Sequence, residues 1–363
     1  MVKQSDAPIF LVGASRCGNT LLQEALGNHS NIHISSETHW FDDERCQRGA
    51  VVETDSERTV VQNWFLSLAH QPFGHGGDPE RGWLDRHTFE HEARNAAAEN
   101  ALKKISTSTR DNYFMAYCQL DARQHGKQRW GEKTPRHVFR IDDIVQAFPD
   151  AKIICTLRDP RAMVTSYRQW SVRNTHDLYS DQNDPDLMRE KQRSKDSYHP
   201  VIAALLWRGA TRAALKALDE HGSGKIKIIL YETLVGEPER TLRDLTHWLD
   251  EPFDNGMLDV PLINSSFDEF QRGAGFQKQA LDRWQTQLSR SELAVIRLLC
   301  KREMKTLGYQ TDQQQTDQRG TVFWLLYSIP KLATLPVAVF RAWRANRDRT
   351  GNLFKYILRR ISV

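Results

Sequence analysis

One stretch, Gly13-Ala-Ser-Arg-Cys-Gly18-Asn-Thr20, constrains this chain more than any other. It follows Ile9 to Val12, an apolar run without alternation, which suits a strand buried on both faces. A helical pattern opens after it and runs from Thr20 to about Leu26. Where a strand turns sharply into a helix, the first helical N–H groups lack intrahelical partners and point into the turn. Together with the positive end of the helix dipole they make an anion site. Glycines at 13 and 18 let the backbone approach a phosphate closely.

That glycine spacing is the one found in the nucleotide loop G-x-x-x-x-G-K-[ST]. Asn19, however, stands where the motif has Lys, and the cation is Arg16, inside the loop. A small-molecule kinase of this type needs the Lys and a hydroxyl on Mg²⁺. Thr20 could supply the hydroxyl, but the Lys is absent. The expectation is a phosphate loop with a relocated cation. A tight turn with no ligand, carrying an exposed Arg16, is the alternative.

Strand and helix patterns alternate along most of the 363 residues. Ile32 to Ile34 reads as a second strand, 152–157 (KIICTL) as a third and 225–231 (KIKIILY) as a fourth. Helices are expected over 137–148, from Pro160 to 170, and over 200–220, 237–249 and 282–307. Residues 45–125 hold no clear strand. Segments 57–69, 86–105 and 109–124 have helical spacing and read as a helical insertion, with a separate helical domain as the alternative. Residues 171–197 are polar and aperiodic and read as a mobile loop or lid. Strands alternating with helices imply an α/β fold, a P-loop-like, mostly parallel sheet flanked by helices. The expected organisation is one domain over 1–310 and a C-terminal apolar and basic helical tail over 320–363. The five cysteines are scattered, without a CxxC pair, so neither a zinc site nor a disulfide framework is expected and a reducing cytoplasm fits.

Four elements together resemble the PAPS-dependent sulfotransferases, where PAPS is 3′-phosphoadenylyl sulfate. Residues 13–41 are similar to that family's 5′-phosphosulfate loop, in the branch that contains tyrosylprotein sulfotransferases and many bacterial enzymes. The branch has R-S-G-T-T-L-L where this chain has Arg16-Cys17-Gly18-Asn19-Thr20-Leu21-Leu22. Ile153-Ile-Cys-Thr-Leu-Arg158-Asp-Pro-Arg, followed by Ser166, resembles the family's 3′-phosphate element. Trp130-Gly-Glu-Lys133-Thr-Pro resembles its E-K-T-P strand end, and Leu230-Tyr231-Glu-Thr-Leu234 its Y-E-x-L segment.

The resemblance implies sulfuryl transfer from PAPS to a hydroxyl or amine by in-line displacement, where positioning and electrostatics dominate. No metal is expected, because the group carries less negative charge than a phosphoryl group. The implied nucleotide contacts are Ser15, Arg16, Cys17, Gly18, Asn19 and Thr20 at the phosphosulfate, Arg158 and Ser166 at the 3′-phosphate, and Tyr231. Arg suits such a role because its planar fork binds phosphate bidentately. Ser266 and Arg272-Gly273 would close the pocket. Arg16 and Lys133 are the candidate catalytic cations, Lys133 having an ordinary ion pair with Glu132 as its alternative. Glu37 falls on the branch's catalytic base, with His39 and His137 as fallbacks. Besides a kinase, a non-catalytic nucleotide-binding adaptor is the competing reading.

The acceptor, whether a glycan, a lipid, a small molecule or a protein tyrosine, has no motif to identify it, and nothing outside the tail suits nucleic acid. In that tail, residues 321–343 are aromatic and aliphatic but interrupted by Pro330, Lys331 and Pro336, and basic residues follow. A membrane-crossing helix needs about 20 mostly apolar residues. The expectation is therefore divided between an interfacial anchor on the inner membrane face and an apolar arm packed on the main domain or a second subunit.

Overall fold

The computed structural model describes residues 7–42, 44–69, 109–172, 198–260, 275–309 and 318–345, with a few single positions beside them. Its strands are β1 (Ile9–Gly13), β2 (Ile32–Ser35), β3 (Arg129–Lys133), β4 (Lys152–Leu157) and β5 (Ile226–Leu230). They form a five-stranded sheet in the order β2-β3-β1-β4-β5, and every pairing is parallel. The helices are α1 (Asn19–Gly27), α2 (Glu44–Arg48), α3 (Asp55–Ala69), α4 (Arg110–Gln124), α5 (Ile141–Ala147), α6 (Pro160–Val172), α7 (Pro200–His221), α8 (Tyr231–Gly236), α9 (Pro238–Trp248), α10 (Trp284–Gln287), α11 (Arg290–Thr306), α12 (Gln318–Ala333) and α13 (Leu335–Ala345).

Why β1 and β4 lack alternation is clear from where their side chains go. Phe10, Val12, Ile153, Cys155 and Leu157 enter the core on one face of the sheet, with Phe114 of α4, Trp207 of α7 and Ile296 of α11. Ile9, Leu11 and Ile154 enter the other, with Leu22 and Leu26 of α1 and Leu242 and Leu245 of α9. Both faces are covered, so apolar residues fill both sides of these strands, with Lys152 at the start of β4 and Thr156 as the polar positions. Phe10 anchors the first core through Phe114, Trp130 and Phe148, at ring distances of 6.0, 6.1 and 5.7 Å. Phe65 of α3 joins the same core.

Several boundaries differ from the sequence reading. The 137–148 segment is a 3₁₀ turn over Pro135–Arg140 followed by α5. The strand expected to end at Tyr231 stops at Leu230, and Tyr231 opens α8. The helix expected over 282–307 is broken into α10 and α11. Ser289 is extended there and forms a capping box with Glu292, whose carboxylate accepts from the Ser289 backbone N–H at 2.9 Å. Strand β3 was visible only through its motif, because Arg129, Glu132 and Lys133 mask it. All three are buried, and Arg129 donates to the Leu249 carbonyl and, at 3.1 Å, to Glu251. The segment 86–105, apart from Asn100, most of the loop 171–197, and Ser266 with Arg272-Gly273 lie outside the described residues.

The two tail helices pack on the domain. Leu335, Ala338, Val339, Ala342 and Trp343 of α13 meet Ile202 and Leu206 of α7. No described helix is long and apolar enough to cross a membrane.

Gly13 ends β1 at φ +143°, and a Cβ there would lie 2.2 Å from the Thr156 carbonyl oxygen. Backbone cannot yield as a flexible side chain can. Gly13→Ala is therefore expected to destabilise the fold by about 3 kcal/mol, read as a lowered midpoint in thermal or denaturant unfolding. An unchanged midpoint would refute this close approach.

Candidate functional site

In a parallel sheet, ligands collect at the carboxyl ends of the strands, and the described residues of the phosphate loop, Arg158, Tyr231, Glu37 and Lys133 lie there. β1 runs through Gly13 into the loop 14–18, where Arg16 (φ 66°) and Gly18 (φ 89°) are both left-handed and α1 follows directly. An L-residue in that region costs about 1–2 kcal/mol, so the loop is held in shape by its surroundings. Asn19 is the main tie. Its amide nitrogen donates to the Ala14 carbonyl at 2.9 Å, and its amide oxygen accepts from Thr156 Oγ1 at 2.6 Å. The side chain is buried and turned into the fold. Asn19 thus pins the loop to β4 instead of reaching a ligand as the P-loop Lys would. Cys17 is also buried, and burial pushes its thiol well up, away from nucleophilic chemistry.

Arg16 reaches the neighbouring element, its Nε donating to Ser166 Oγ of α6 at 3.3 Å. Arg158 leaves the end of β4 beside it. Its Nη2 donates to the Ala280 carbonyl at 2.8 Å, and its guanidinium lies 4.1 Å from the centroid of the Tyr231 ring. Tyr231 in turn packs against Gly18 so closely that a Cβ on Gly18 would sit 2.5 Å from the ring. Burial, and then the Arg158 charge, lower the pKa of Arg16 to about 10. Arg158 Nε is buried with no hydrogen-bond partner among the described residues. Two adjacent cations, one with a buried unmet donor, at a helix N-terminus fit an anion.

Several supports of this pocket were not apparent in sequence. The backbone carbonyl of Arg158 accepts from Trp207 Nε1 at 2.7 Å. Glu232 accepts from the Asp159 N–H at 2.9 Å and from the Tyr309 hydroxyl at 2.8 Å, and burial raises its pKa. Asp159 pairs with Arg161, at 2.6 Å.

A second group forms beyond β2 and β3. Glu37, half-exposed, accepts from Lys133 Nζ at 2.8 Å and lies 3.6 Å from His39 Nε2. Lys133 therefore pairs with Glu37 and not with Glu132. Burial would raise the Glu37 pKa, but the Lys133 ammonium and then His39 outweigh it and hold the carboxyl below its usual range.

The loop that carries Glu37 is clamped from below. Glu132 is fully buried and accepts from Thr38 N–H at 3.0 Å, from Thr38 Oγ1 at 2.8 Å and from Thr134 Oγ1. Thr134 Oγ1 also accepts from the N–H groups of Thr38 and His39, at 3.2 and 3.3 Å. His137 Nε2 accepts from Phe41 N–H at 3.2 Å. The imidazole proton then belongs on Nδ1, which faces Glu132 at 3.2 Å. His137 has no exposed surface, and these contacts make it part of the support beneath the Glu37 loop. His39 stays at the surface beside Glu37. Thr38 escaped sequence reasoning, since an isolated Thr carries no pattern, and Glu132 and Thr134 were visible as part of the E-K-T-P motif but not as a clamp.

Folding also unites His33, Asp121 and His125, which sequence spacing does not suggest. Asp121 accepts from Ser35 Oγ at 2.6 Å and faces His33 Nε2 at 2.9 Å, while the two imidazoles stack 4.0 Å apart. Burial opposes Asp121 ionisation, but His33 and His125 hold its pKa well below the usual range. Parallel rings do not aim their nitrogens at one ion, and the arrangement is a hydrogen-bonded network around Asp121.

A family model described as the sulfotransferase family matches residues 8–255. Among solved structures, the sulfotransferase domain of the Synechococcus olefin synthase is 17% identical with a TM-score of 0.49, covering 84% of this chain and 96% of that one. A sulfotransferase from Mycobacterium avium is 17% identical with a TM-score of 0.41, over 83% and 77% of the two chains. Retinol dehydratase in a complex with retinol and PAP is 11% identical with a TM-score of 0.35, over 85% and 83%. No curated protein matches the chain.

The clamp makes a prediction independent of chemistry. Thr134→Val removes an acceptor for two loop N–H groups and a donor to Glu132. It is expected to cost about 1–3 kcal/mol and to speed amide exchange at Thr38 and His39, whereas Thr134→Ser keeps both properties. Equal exchange in the Val and Ser variants would refute the clamp.

Proposed function

The chain belongs to the sulfotransferase family, and from that premise we propose that it moves the sulfuryl group of PAPS onto an acceptor hydroxyl or amine. One observation carries the choice of donor. Arg16 and Arg158 converge at the N-terminus of α1, and the Nε of Arg158 is buried without a partner among the described residues. A donor with separate 5′ and 3′ anionic groups suits two such cations. Arg158, with Ser166, takes the 3′-phosphate, and Tyr231 lines the nucleotide side. The loop from Ser15 to Thr20 offers its backbone N–H groups to the 5′-phosphosulfate, and Arg16 and Lys133 stabilise charge that develops on the bridging oxygen.

In the transfer, a bond forms between the acceptor oxygen or nitrogen and sulfur as the bond from sulfur to the bridging oxygen breaks. PAP leaves, and Glu37 takes the acceptor proton. A base has to be ionised and within reach, and Glu37 is held in its ionised form beside Lys133. We place the enzyme in the cytoplasm, a reading supported by five cysteines that form no disulfide.

Calorimetry with PAPS and PAP, and Mg-ATP as the control, tests the donor. PAPS is expected to bind without metal, and Arg158→Ala to weaken PAP binding roughly tenfold to a hundredfold. A preference for Mg-ATP, or binding indifferent to Arg158, would overturn the reading.

The base is tested by PAP release from PAPS over a panel of phenol, alcohol and amine acceptors. Glu37→Gln should cut turnover by ~10²–10⁴ while leaving PAP affinity near wild type. The Glu37 pKa is lowered, so wild-type activity should persist as pH falls and fail only below the ordinary glutamate value of about 4.3. A limb centred near neutrality would assign the base to His39 instead.

A further inference from the structure

We propose that α12 and α13 form a docking surface for an anionic membrane, on which the protein lies without passing a helix through it. Five of the eight large hydrophobic side chains exposed among the described residues fall in this helix pair: Leu326, Ile329, Leu332, Val337 and Phe340. Apolar residues scattered singly over a surface need no explanation, but a cluster does.

The spacing in α13 shows why the cluster is not a spare piece of core. Leu335, Ala338, Val339, Ala342 and Trp343 recur at helical intervals on the face that packs against Ile202 and Leu206. Val337, Phe340, Arg341 and Arg344 recur on the face turned away from it, and all four are exposed. The helix is thus apolar on two sides, and among the described residues only one of them meets the domain. On the outer side the pattern passes from apolar residues to cations, Arg347 continuing it as a further exposed position. An interfacial helix follows this arrangement, with apolar side chains among the acyl chains and arginines at the phosphates.

Charge selects the occupant. Residues 320–363 hold eight Lys and Arg against one acid. A second copy of the chain docked about a two-fold axis would set this basic surface against an identical one, whereas an anionic leaflet attracts it. The pair is also held firmly enough to act as a platform. His199 Nδ1 accepts from the Val201 N–H at 3.3 Å, so its Nε2 carries the proton and donates to Thr334 Oγ1 at 3.1 Å. Arg341 reaches Asp196 at 3.5 Å.

Co-sedimentation of the full chain with vesicles of equal parts phosphatidylglycerol and phosphatidylcholine, and with phosphatidylcholine alone, tests this. Binding is expected to the anionic vesicles and to weaken with salt. Val337→Asp with Phe340→Asp should lower it about tenfold or more, and Arg344→Glu with Arg347→Glu at least several-fold. These positions are exposed, so unfolding is not expected, and PAP affinity with light scattering checks each variant. No vesicle binding, binding unchanged in both double variants, or a dimer that Phe340→Asp dissolves without any vesicle binding would each overturn the proposal.

Discussion

The site depends on how closely β1 approaches β4. Gly13 faces the Thr156 carbonyl with no room for a side chain, and Asn19 joins the side chain of the same Thr156 to the Ala14 carbonyl. These contacts set where the loop leaves the sheet, and hence where Arg16 stands relative to Ser166 and Arg158. Burying an amide is unfavourable unless its groups are paired. Asn19 meets that condition at both ends, which makes the loop geometry specific. The residue that departs from the nucleotide-loop motif has become part of the framework, and the cation has moved three positions back to Arg16.

From that framework the site divides into two electrostatic halves. On the β4 side, Arg16 and Arg158 lie near enough for each charge to oppose the other, and burial adds to the cost. The pocket is therefore less favourable empty than filled by an anion, because an anion relieves both effects at once. On the β2 and β3 side, Glu37 and Lys133 neutralise one another across 2.8 Å. The clamp of Glu132, Thr134 and His137 fixes the backbone on which Glu37 rides. Groups held in place before a ligand arrives need little reorganisation during reaction, and that is the main source of electrostatic catalysis.

The sheet was legible in sequence wherever strands are buried on both faces, because apolar runs such as 153–157 carry their own signal. β3 was legible only as a motif: its buried Arg129 and Glu132 have partners from residues remote in sequence, and hydropathy cannot register a charge satisfied at that distance. The same reason hid the clamp. Thr38, Thr134 and His137 acquire their contacts only when β2 and β3 are side by side. Helix limits were read well where proline or a loop marks them, as at Pro160 and Pro200. They were missed where a capping serine interrupts a helical pattern, as at Ser289.

On the proposed reading, the ion pair between Glu37 and Lys133 bears on when the proton moves. A carboxylate held below its usual pKa is a weak base toward a free hydroxyl, whose proton it cannot remove in advance. The acceptor proton becomes acidic only as its oxygen begins to bond to sulfur, so transfer to Glu37 has to accompany that bond and not precede it. At the same stage, charge grows on the bridging oxygen and draws Lys133 toward it. As Lys133 turns to that oxygen its hold on Glu37 weakens, and the carboxylate becomes more basic as the proton becomes available. The pairing that keeps Glu37 ionised at rest thereby couples its basicity to departure of the leaving group, a coupling that neither residue could supply alone.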